Sequence, residues 1–184
     1  MNETIKNIME RRSIRNFKPD PVPEELVKAL VDCAEVAPNG MGWQNWHFTV
    51  IESREFLDKI ALGNTKINAA GDSPMKARAQ EMLDKGGFMD NFYGAPMAVV
   101  FSGGACDCAN AATTMAIAAK SLGLGSCYLG SFKPALLAPE GAELLAALGL
   151  PEGYEPQYAL AIGYPDFTPE ARVPRKEGAV SYIK

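Results

Sequence analysis

Cationic side chains are gathered in two short stretches of an otherwise acidic chain. Seven of its 18 lysine and arginine residues occupy 13 of 184 positions, although the net charge is −4. They are Arg11, Arg12, Arg15 and Lys18 in the first stretch, and Arg172, Arg175 and Lys176 in the second. Ser13 adds a hydroxyl between two arginines, and forked guanidinium donors beside a hydroxyl suit a phosphate monoester. The alternative interpretation is solvated surface charge, which accounts for most charge clusters.

Two glycine-containing segments could border a flat ligand. Residues 38–46, PNGMGWQNW, expose backbone groups through two glycines and carry an amide and two indole rings. Residues 123–130, GLGSCYLG, place three glycines after a predicted helix. Each segment also has a purely structural interpretation, in which Trp43 and Trp46 are core residues and the glycines serve turns. Because the chain contains no P-loop and no GxGxxG sequence, a phosphate site here indicates a mononucleotide rather than a dinucleotide.

Other catalytic chemistries are restricted by the single histidine and by the cysteine spacing. With His47 alone, multi-histidine zinc sites and histidine relays are excluded. Cys33, Cys106, Cys108 and Cys127 contain no CxxC pair, so we expect free thiols and no metal. A Cys127 nucleophile with His47 as its base is an alternative, which would make the protein a cysteine hydrolase. No other side chain is a credible nucleophile, so a cofactor must supply the reactivity.

Charge and hydropathy predict a cytoplasmic protein. The net charge of −4 disfavours nucleic acids and anionic membranes as partners. The longest apolar run, residues 95–101, is far shorter than a membrane span, and the N-terminal residues lack the apolar region of a signal peptide.

The spacing of apolar residues, prolines and glycines predicts helices packed around one sheet. Helices are expected over residues 3–10, from Pro23 to the turn at 38–40, and over 53–62, 74–85, 106–122 and 134–148. Strands are expected over residues 46–51, 95–102, 124–129 and 158–163, with a candidate last strand near 180–183. Residues 63–73 are expected to form a loop.

Four motifs together resemble the FMN-dependent nitroreductase family. Residues 11–15, RRSIR, are similar to its RRSxR signature, and residues 38–46 resemble its PSxxNxQPW segment. Residues 111–130 end in LGLGSCYLG, which is similar to its LGLGxCW stretch. The sequences IGYP at 162–165 and VPRK at 173–176 resemble its closing GYP and PRK. The four motifs occur in the family's order over residues 11–176.

The resemblance implies an α+β fold in which helices surround a central, mostly antiparallel sheet. It implies a single nitroreductase-like domain over residues 1–184 and an intertwined homodimer with FMN at the interface. A C-terminal arm, about residues 166–184, would embrace the partner subunit.

The resemblance also implies which residues hold FMN. The phosphate would be bound by Arg11, Ser13 and Arg175, by Arg12 partly through its backbone, and by Arg172 as a weaker candidate. The flavin would be contacted by Arg15 at its N1/O2 edge, by Gln44, by Asn91 and, from the other subunit, by Pro38, Asn39 and Gly40. Tyr128, Leu129 and Gly130 would place a backbone N–H near flavin N5. Arg15, Leu129 and Gly130 are therefore the implied catalytic residues.

The segment at residues 38–46 departs from the family pattern. Gly42 stands where the family has asparagine, Asn45 where it has proline, and Trp43 is inserted between them. Asn39 and Gly40 replace the usual serines. These departures affect the part of the pocket that would cross between subunits.

The activity implied by the resemblance is an NAD(P)H-dependent FMN oxidoreductase. A hydride from NAD(P)H would pass to flavin N5, and the electrons would then reach a small aromatic acceptor, such as a nitroaromatic or a quinone, by a ping-pong mechanism. The alternative is a flavin-binding carrier or sensor with the same fold and no turnover. Neither the physiological acceptor nor a preference for NADH or NADPH is implied.

Overall fold

The computed structural model describes residues 2–167, 169 and 171–184. The described residues form helices, strands and two short 3₁₀ turns, at Gly40–Gly42 and Pro139–Gly141. The helices are α1 (Glu3–Glu10), α2 (Glu24–Glu35), α3 (Arg54–Ala70), α4 (Lys76–Asp84), α5 (Ala105–Ser121), α6 (Lys133–Leu137) and α7 (Ala142–Ala146). The strands are β1 (Trp46–Ile51), β2 (Met97–Gly103), β3 (Gly125–Leu129) and β4 (Pro156–Gly163). Among the described helices, none combines the length and the apolar character that crossing a bilayer requires.

The four strands form one antiparallel sheet in the order β1-β2-β4-β3. Strand β2 lies inside the sheet and is buried along almost its whole length, as its continuous apolar sequence predicts. One face of the sheet packs against α3 and α6, and the other face packs against α2 and α5. The predicted α+β architecture, an antiparallel sheet surrounded by helices, is confirmed.

Helix α3 is longer than the sequence predicts, because polar residues within it bond locally and to α6. The helix continues to Ala70, so the predicted end near Leu62 and the loop over residues 63–73 are wrong. The hydroxyl of Thr65 donates to the carbonyl of Ala61 at 2.8 Å, and the buried amide of Asn64 bonds the backbone of Phe132 and Ala135. Tertiary packing thus overrides the low helix propensity of this stretch.

The single helix predicted over residues 134–148 is also wrong, because it is divided at a proline. Helix α6 ends at Leu137, the 3₁₀ turn at Pro139–Gly141 follows, and α7 begins at Ala142. Proline disfavours helical conformation in the residue before it, and Ala138 accordingly has an extended ψ of 152°. The candidate strand near residues 180–183 is not formed, since the described residues there have no regular secondary structure.

The chain between α1 and α2 is fixed along the edge of the sheet beside β3. The Ile14 N–H donates to the Ser126 carbonyl at 3.0 Å, and the Lys18 N–H donates to the Tyr164 carbonyl at 2.9 Å. Ile14 and Phe17 are buried, whereas Arg15, Asn16 and Lys18 are exposed. This arrangement turns the charged side chains outward from a segment whose apolar residues belong to the core.

Gly125 allows that close approach, and replacing it should destabilise the fold. A Cβ at this position would lie 2.7 Å from Ile14 Cγ1 and 3.0 Å from Pro165 Cγ. We expect Gly125→Ala to lower the free energy of unfolding by about 1–3 kcal/mol through overpacking. Denaturant titration measures the change. In the control Gly87→Ala the new Cβ meets only Met82, at 3.5 Å or more. Equal stability of the two variants would contradict this account of Gly125.

Candidate functional site

The two cationic stretches, although some 160 residues apart in sequence, meet in space. The Arg172 guanidinium donates through Nη2 to the backbone carbonyls of Met9 and Arg11, at 2.6 Å each. These carbonyls lie at the end of α1, where the C-terminal carbonyls of a helix attract a cation. The contact holds the described part of the C-terminal arm against the beginning of the first cationic stretch.

The charges of three other arginines act on Arg172, whose pKa is lowered. Partial desolvation lowers the pKa of Arg172, and three like charges nearby lower it further. Those charges belong to Arg175, Arg12 and Arg11. Mutual repulsion among guanidinium groups is relieved when an anion binds between them. The geometry therefore favours a doubly charged anion such as a phosphate monoester.

A cavity of about 220 Å³ adjoins this arginine group at the C-terminal end of α5. Its lining includes Arg11, Arg12 and Lys120, together with the backbone from Gly123 to Ser126. Lys120 also pairs with Glu10 at 3.5 Å. The sequence analysis did not predict Lys120 as a site residue. Its only signal was its position just before a glycine-rich turn.

Strand β3 carries the next group of predicted site residues past the arginines. The charges of Arg15 and Arg11 act on the Cys127 thiol, although burial dominates and raises the pKa of that thiol. Both arginines therefore lie near the middle of β3. Tyr128 follows on the outer side of the strand, with its ring 5.0 Å from that of Tyr158.

The same geometry removes the cysteine hydrolase alternative. His47 is on β1 and Cys127 is on β3, and these are the two opposite edges of the sheet. Three strand spacings separate them, about 14 Å. With its pKa raised by burial, the thiol of Cys127 is also less available as a nucleophile.

Gly130 and Asn91 meet at the end of β3. A Cβ added to Gly130 would encounter no atom within 4 Å, so the chain here is open to a closely approaching ligand. Ser131 follows Gly130 in the chain, and the Asn91 amide donates to the Ser131 carbonyl at 3.4 Å. Its Oδ1 is buried and has no hydrogen-bond partner among the described residues. A buried acceptor without a donor is costly, and a ligand N–H or O–H at Asn91 Oδ1 would relieve that cost.

The turn that presents Asn91 is held by charged side chains not predicted from the sequence. The Asp90 carboxylate accepts the N–H groups of Phe92 at 2.8 Å and Gly94 at 2.7 Å. It also pairs with the Arg54 guanidinium at 2.8 Å. Tyr93 adopts a positive φ of 59° within this turn, a conformation that non-glycine residues seldom take. Asp90 and Arg54 thus position Asn91 and Tyr93.

The remaining predicted residues, in the segment at 38–46, are organised by the N-terminal end of α5. The Asp107 carboxylate accepts the N–H groups of Gly40 and Asn45, each at 3.3 Å. The Asn110 amide donates to the Pro38 carbonyl at 2.9 Å. The sequence analysis did not identify Asp107 and Asn110, whose only signal was their polar character at the start of a small-residue helix.

The segment at 38–46 is strained and exposed. Met41 and Gln44 have positive φ values of 52° and 51°, and the Gln44 N–H is held by Asn39 Oδ1 at 3.0 Å. Trp43 is 77% exposed, so its interpretation as a core residue is wrong, whereas Trp46 is half-buried and packs on the sheet. Strained, exposed apolar residues in a fixed loop are typical of a binding surface.

Within one chain, the structure does not bring this segment to the arginine group. Asp107 and Asn110 hold it at one end of α5, whereas Lys120 lines the cavity at the other end. Ten to thirteen helical residues separate these positions, about 15–20 Å at 1.5 Å per residue. Arg11, Arg12, Ser13, Arg15, Arg172 and Arg175 gather beside β3, with Asn91 near its end, while Pro38, Asn39, Gly40 and Gln44 form a separate surface.

Comparison with known proteins decides the family. A model described as the nitroreductase family matches residues 8–164. This chain belongs to the nitroreductase family. The match contains the first cationic stretch, the segment at 38–46, Asn91 and all of β3.

Individual relatives in the nitroreductase family cover nearly the whole chain. A protein of Methanothermobacter thermautotrophicus is 30% identical over 172 residues, 92% of this chain and 81% of its own, and its name joins NADH dehydrogenase and NAD(P)H nitroreductase. An FMN reductase [NAD(P)H] of Bacillus subtilis is 28% identical, covering 90% of this chain and 67% of its own. The crystal structure of a nitroreductase with bound FMN from Bacteroides fragilis superimposes with a TM-score of 0.88 at 26% identity, covering both chains completely.

Proposed function

We propose that this nitroreductase-family protein passes electrons from NAD(P)H to a small aromatic acceptor by a ping-pong mechanism, as a homodimer with FMN between the subunits. The observation that carries the proposal is the convergence of Arg11, Arg12, Arg172 and Arg175 beside Ser13 at the edge of β3. The coarser statement, an FMN oxidoreductase that uses NAD(P)H, is confirmed by the family match and the relatives. That it works in the cytoplasm remains part of the proposal.

The residues present suit FMN on three counts. The arginine group and the Ser13 hydroxyl match a phosphate monoester in charge and in donor geometry. Asn91 Oδ1 is a buried acceptor to which no described residue donates, as the N–H of an isoalloxazine ring requires. Gly130 leaves open space beside its backbone, where a flat ring can approach closely.

Each group has a distinct part in the proposed reaction. Bound FMN supplies a ring that takes a hydride from one substrate and returns electrons to another. Arg15, an exposed guanidinium beside β3, would stabilise negative charge that develops on a ligand there. Leu129 and Gly130 would offer a backbone N–H near flavin N5. For a quinone, NAD(P)H supplies two electrons and one proton, and the hydroquinone takes its second proton from solvent.

The separation of the two predicted surfaces supports a dimer. Because the 38–46 segment and the arginine group lie about 15–20 Å apart along α5, one chain does not surround a flavin with both. A second copy can bring its 38–46 segment to the first copy's arginines. The exposed side chains of Met41, Trp43 and Val173 provide apolar surface for such an interface.

The proposed turnover predicts a yellow protein that is bleached by reduced nicotinamide. We expect a flavin absorption band in purified protein, its loss on anaerobic addition of NADH or NADPH, and its return when a quinone is added. Initial rates should give parallel double-reciprocal lines when both substrates are varied. A yellow protein that neither nucleotide bleaches would instead favour the carrier or sensor alternative.

The phosphate assignment predicts that removing arginines from both stretches abolishes flavin retention. We expect Arg11→Ala combined with Arg175→Ala to lose at least about tenfold in FMN affinity, because charge-assisted hydrogen bonds to phosphate are among the strongest available. Absorption of purified protein and titration with FMN measure this. The control Lys28→Ala combined with Lys85→Ala removes the same charge from two exposed ion pairs elsewhere. Full flavin occupancy in the Arg11/Arg175 variant would refute the assignment.

The shared site predicts complementation between two defective chains. One chain carries the Arg11→Ala and Arg175→Ala changes, and the other carries Asn39→Ala and Gln44→Ala in the 38–46 segment. Each homodimer should be deficient in flavin, whereas the purified heterodimer should regain one of its two sites. Light scattering of the native protein should give twice the 19.8 kDa chain mass. A monomer, or a heterodimer as colourless as its parents, would end the shared-site model.

A further inference from the structure

We propose that a polar cavity between α3, α4 and the end of β3 binds the anionic substituent of the aromatic acceptor, with the Arg78 guanidinium as its charge partner. The cavity has a volume of about 360 Å³, within the range of small-molecule sites. This inference rests on the proposed function, because it assigns a substrate class to the same site.

The cavity opens where the reaction is proposed to occur. Asn91 and Ser131 are part of its lining, and Ser131 directly follows Gly130. Asn91 is the lining residue whose buried Oδ1 lacks a partner among the described residues. A molecule in the cavity therefore lies next to the backbone of Gly130, where the resemblance places flavin N5.

Several polar groups of the lining are already engaged within the protein. Asn64 bonds the backbone of α6, and Thr65 bonds the carbonyl of Ala61 and the N–H of Met89. Asn68 is bonded to the Asn64 carbonyl and to Ser73. Asp90 is paired with Arg54, a guanidinium that it shares with Asp58. These groups shape the cavity and leave little capacity to bind a ligand.

Among the charged and aromatic groups of the lining, Arg78 and Tyr93 remain available, since the proposed function assigns Asn91 Oδ1 to the flavin. Among the described residues, Arg78 donates no hydrogen bond and forms no ion pair, although it lies on α4 at the cavity's edge. Tyr93 is half-buried, and the Asp90 turn fixes its backbone. A cation beside an aromatic ring suits an aromatic ligand with a carboxylate or a similar anionic group.

Electrostatics decides between a neutral and an anionic acceptor. Asp90 shares the Arg54 guanidinium with Asp58, whereas the Arg78 guanidinium is the charged group of the lining that forms no ion pair among the described residues. A protein with a net charge of −4 otherwise repels anions, so a local cation at the cavity mouth selects for them. Arg78 therefore determines which acceptor binds, and it takes no part in electron transfer.

The test compares two nitroaromatic acceptors of similar size, 4-nitrobenzoate and the uncharged 4-nitrobenzyl alcohol, with the holoprotein and saturating NADH. We expect Arg78→Met to raise KM for 4-nitrobenzoate about tenfold and to leave KM for the alcohol and both kcat values within about twofold. Arg78→Lys should retain part of the preference, and the preference should weaken with added salt. Lys76→Met, on the same helix but outside the lining, is the matched control.

A second readout is independent of turnover. Calorimetric titration with benzoate, which is not reduced, should detect binding to the native protein and about tenfold weaker binding to Arg78→Met. Unaltered thermal unfolding of the variant verifies that the exposed substitution leaves the fold intact. Benzoate binding also tests the cavity if the protein proves to lack turnover, so failure of the proposed function is distinguishable from failure of this site.

Three results would overturn the inference. Equal changes in KM for the acid and the alcohol would show that Arg78 does not read charge. A loss of FMN from Arg78→Met would assign this guanidinium to the cofactor. A rise in KM for NADPH but not for NADH would assign it to the extra phosphate of the donor.

Discussion

The close contact between Ile14 and Gly125 governs the arrangement of the cationic site. Ile14 is buried against a residue that has no side chain, and its N–H is bonded to Ser126. Together with the bond from the Lys18 N–H to the Tyr164 carbonyl, this attachment lays the segment from Arg11 to Arg15 along the edge of β3. The charged side chains then have no direction available except outward, where Arg172 and Arg175 join them. Burial of apolar residues thereby brings like charges together, and the proposed phosphate site rests on this arrangement.

Helix α5 determines how the rest of the site is distributed. Its small side chains pack closely under the sheet, and its two ends serve different surfaces. Asp107 and Asn110 hold the strained segment at 38–46 at the N-terminal end, whereas Lys120 stands beside the arginine group at the C-terminal end. A rigid helix of this length keeps the two surfaces apart within a chain. The proposed site shared between two copies rests on this spacing, because one chain cannot bring both surfaces to the same ligand.

Polar side chains behind the site provide positioning rather than contact. Asp90 and Arg54 fix the turn that carries Asn91, and Asn64 joins α3 to α6 beneath the neighbouring cavity. Asn91 Oδ1 and the Arg78 guanidinium, by contrast, have no hydrogen-bond partner in the part of the chain that the structure describes. A scaffold with its own hydrogen bonds complete can hold a few unsatisfied groups in place, which is the usual design of a specific binding site.

The order of elements, the buried β2 and the family were readable from the sequence, because apolar periodicity and the RRSIR and LGLGSCYLG motifs are local. The length of α3 was not, since Asn64 and Thr65 are helical through bonds to Phe132, Ala135 and Ala61. Nor were the roles of Asp107, Asp90 and Arg54, whose partners are backbone groups and charges that only folding brings near. The sequence by itself determined which side chains carry charge and which strands are buried. Tertiary structure decided which charges meet, because the energy of a charge depends on neighbours that chain order does not define.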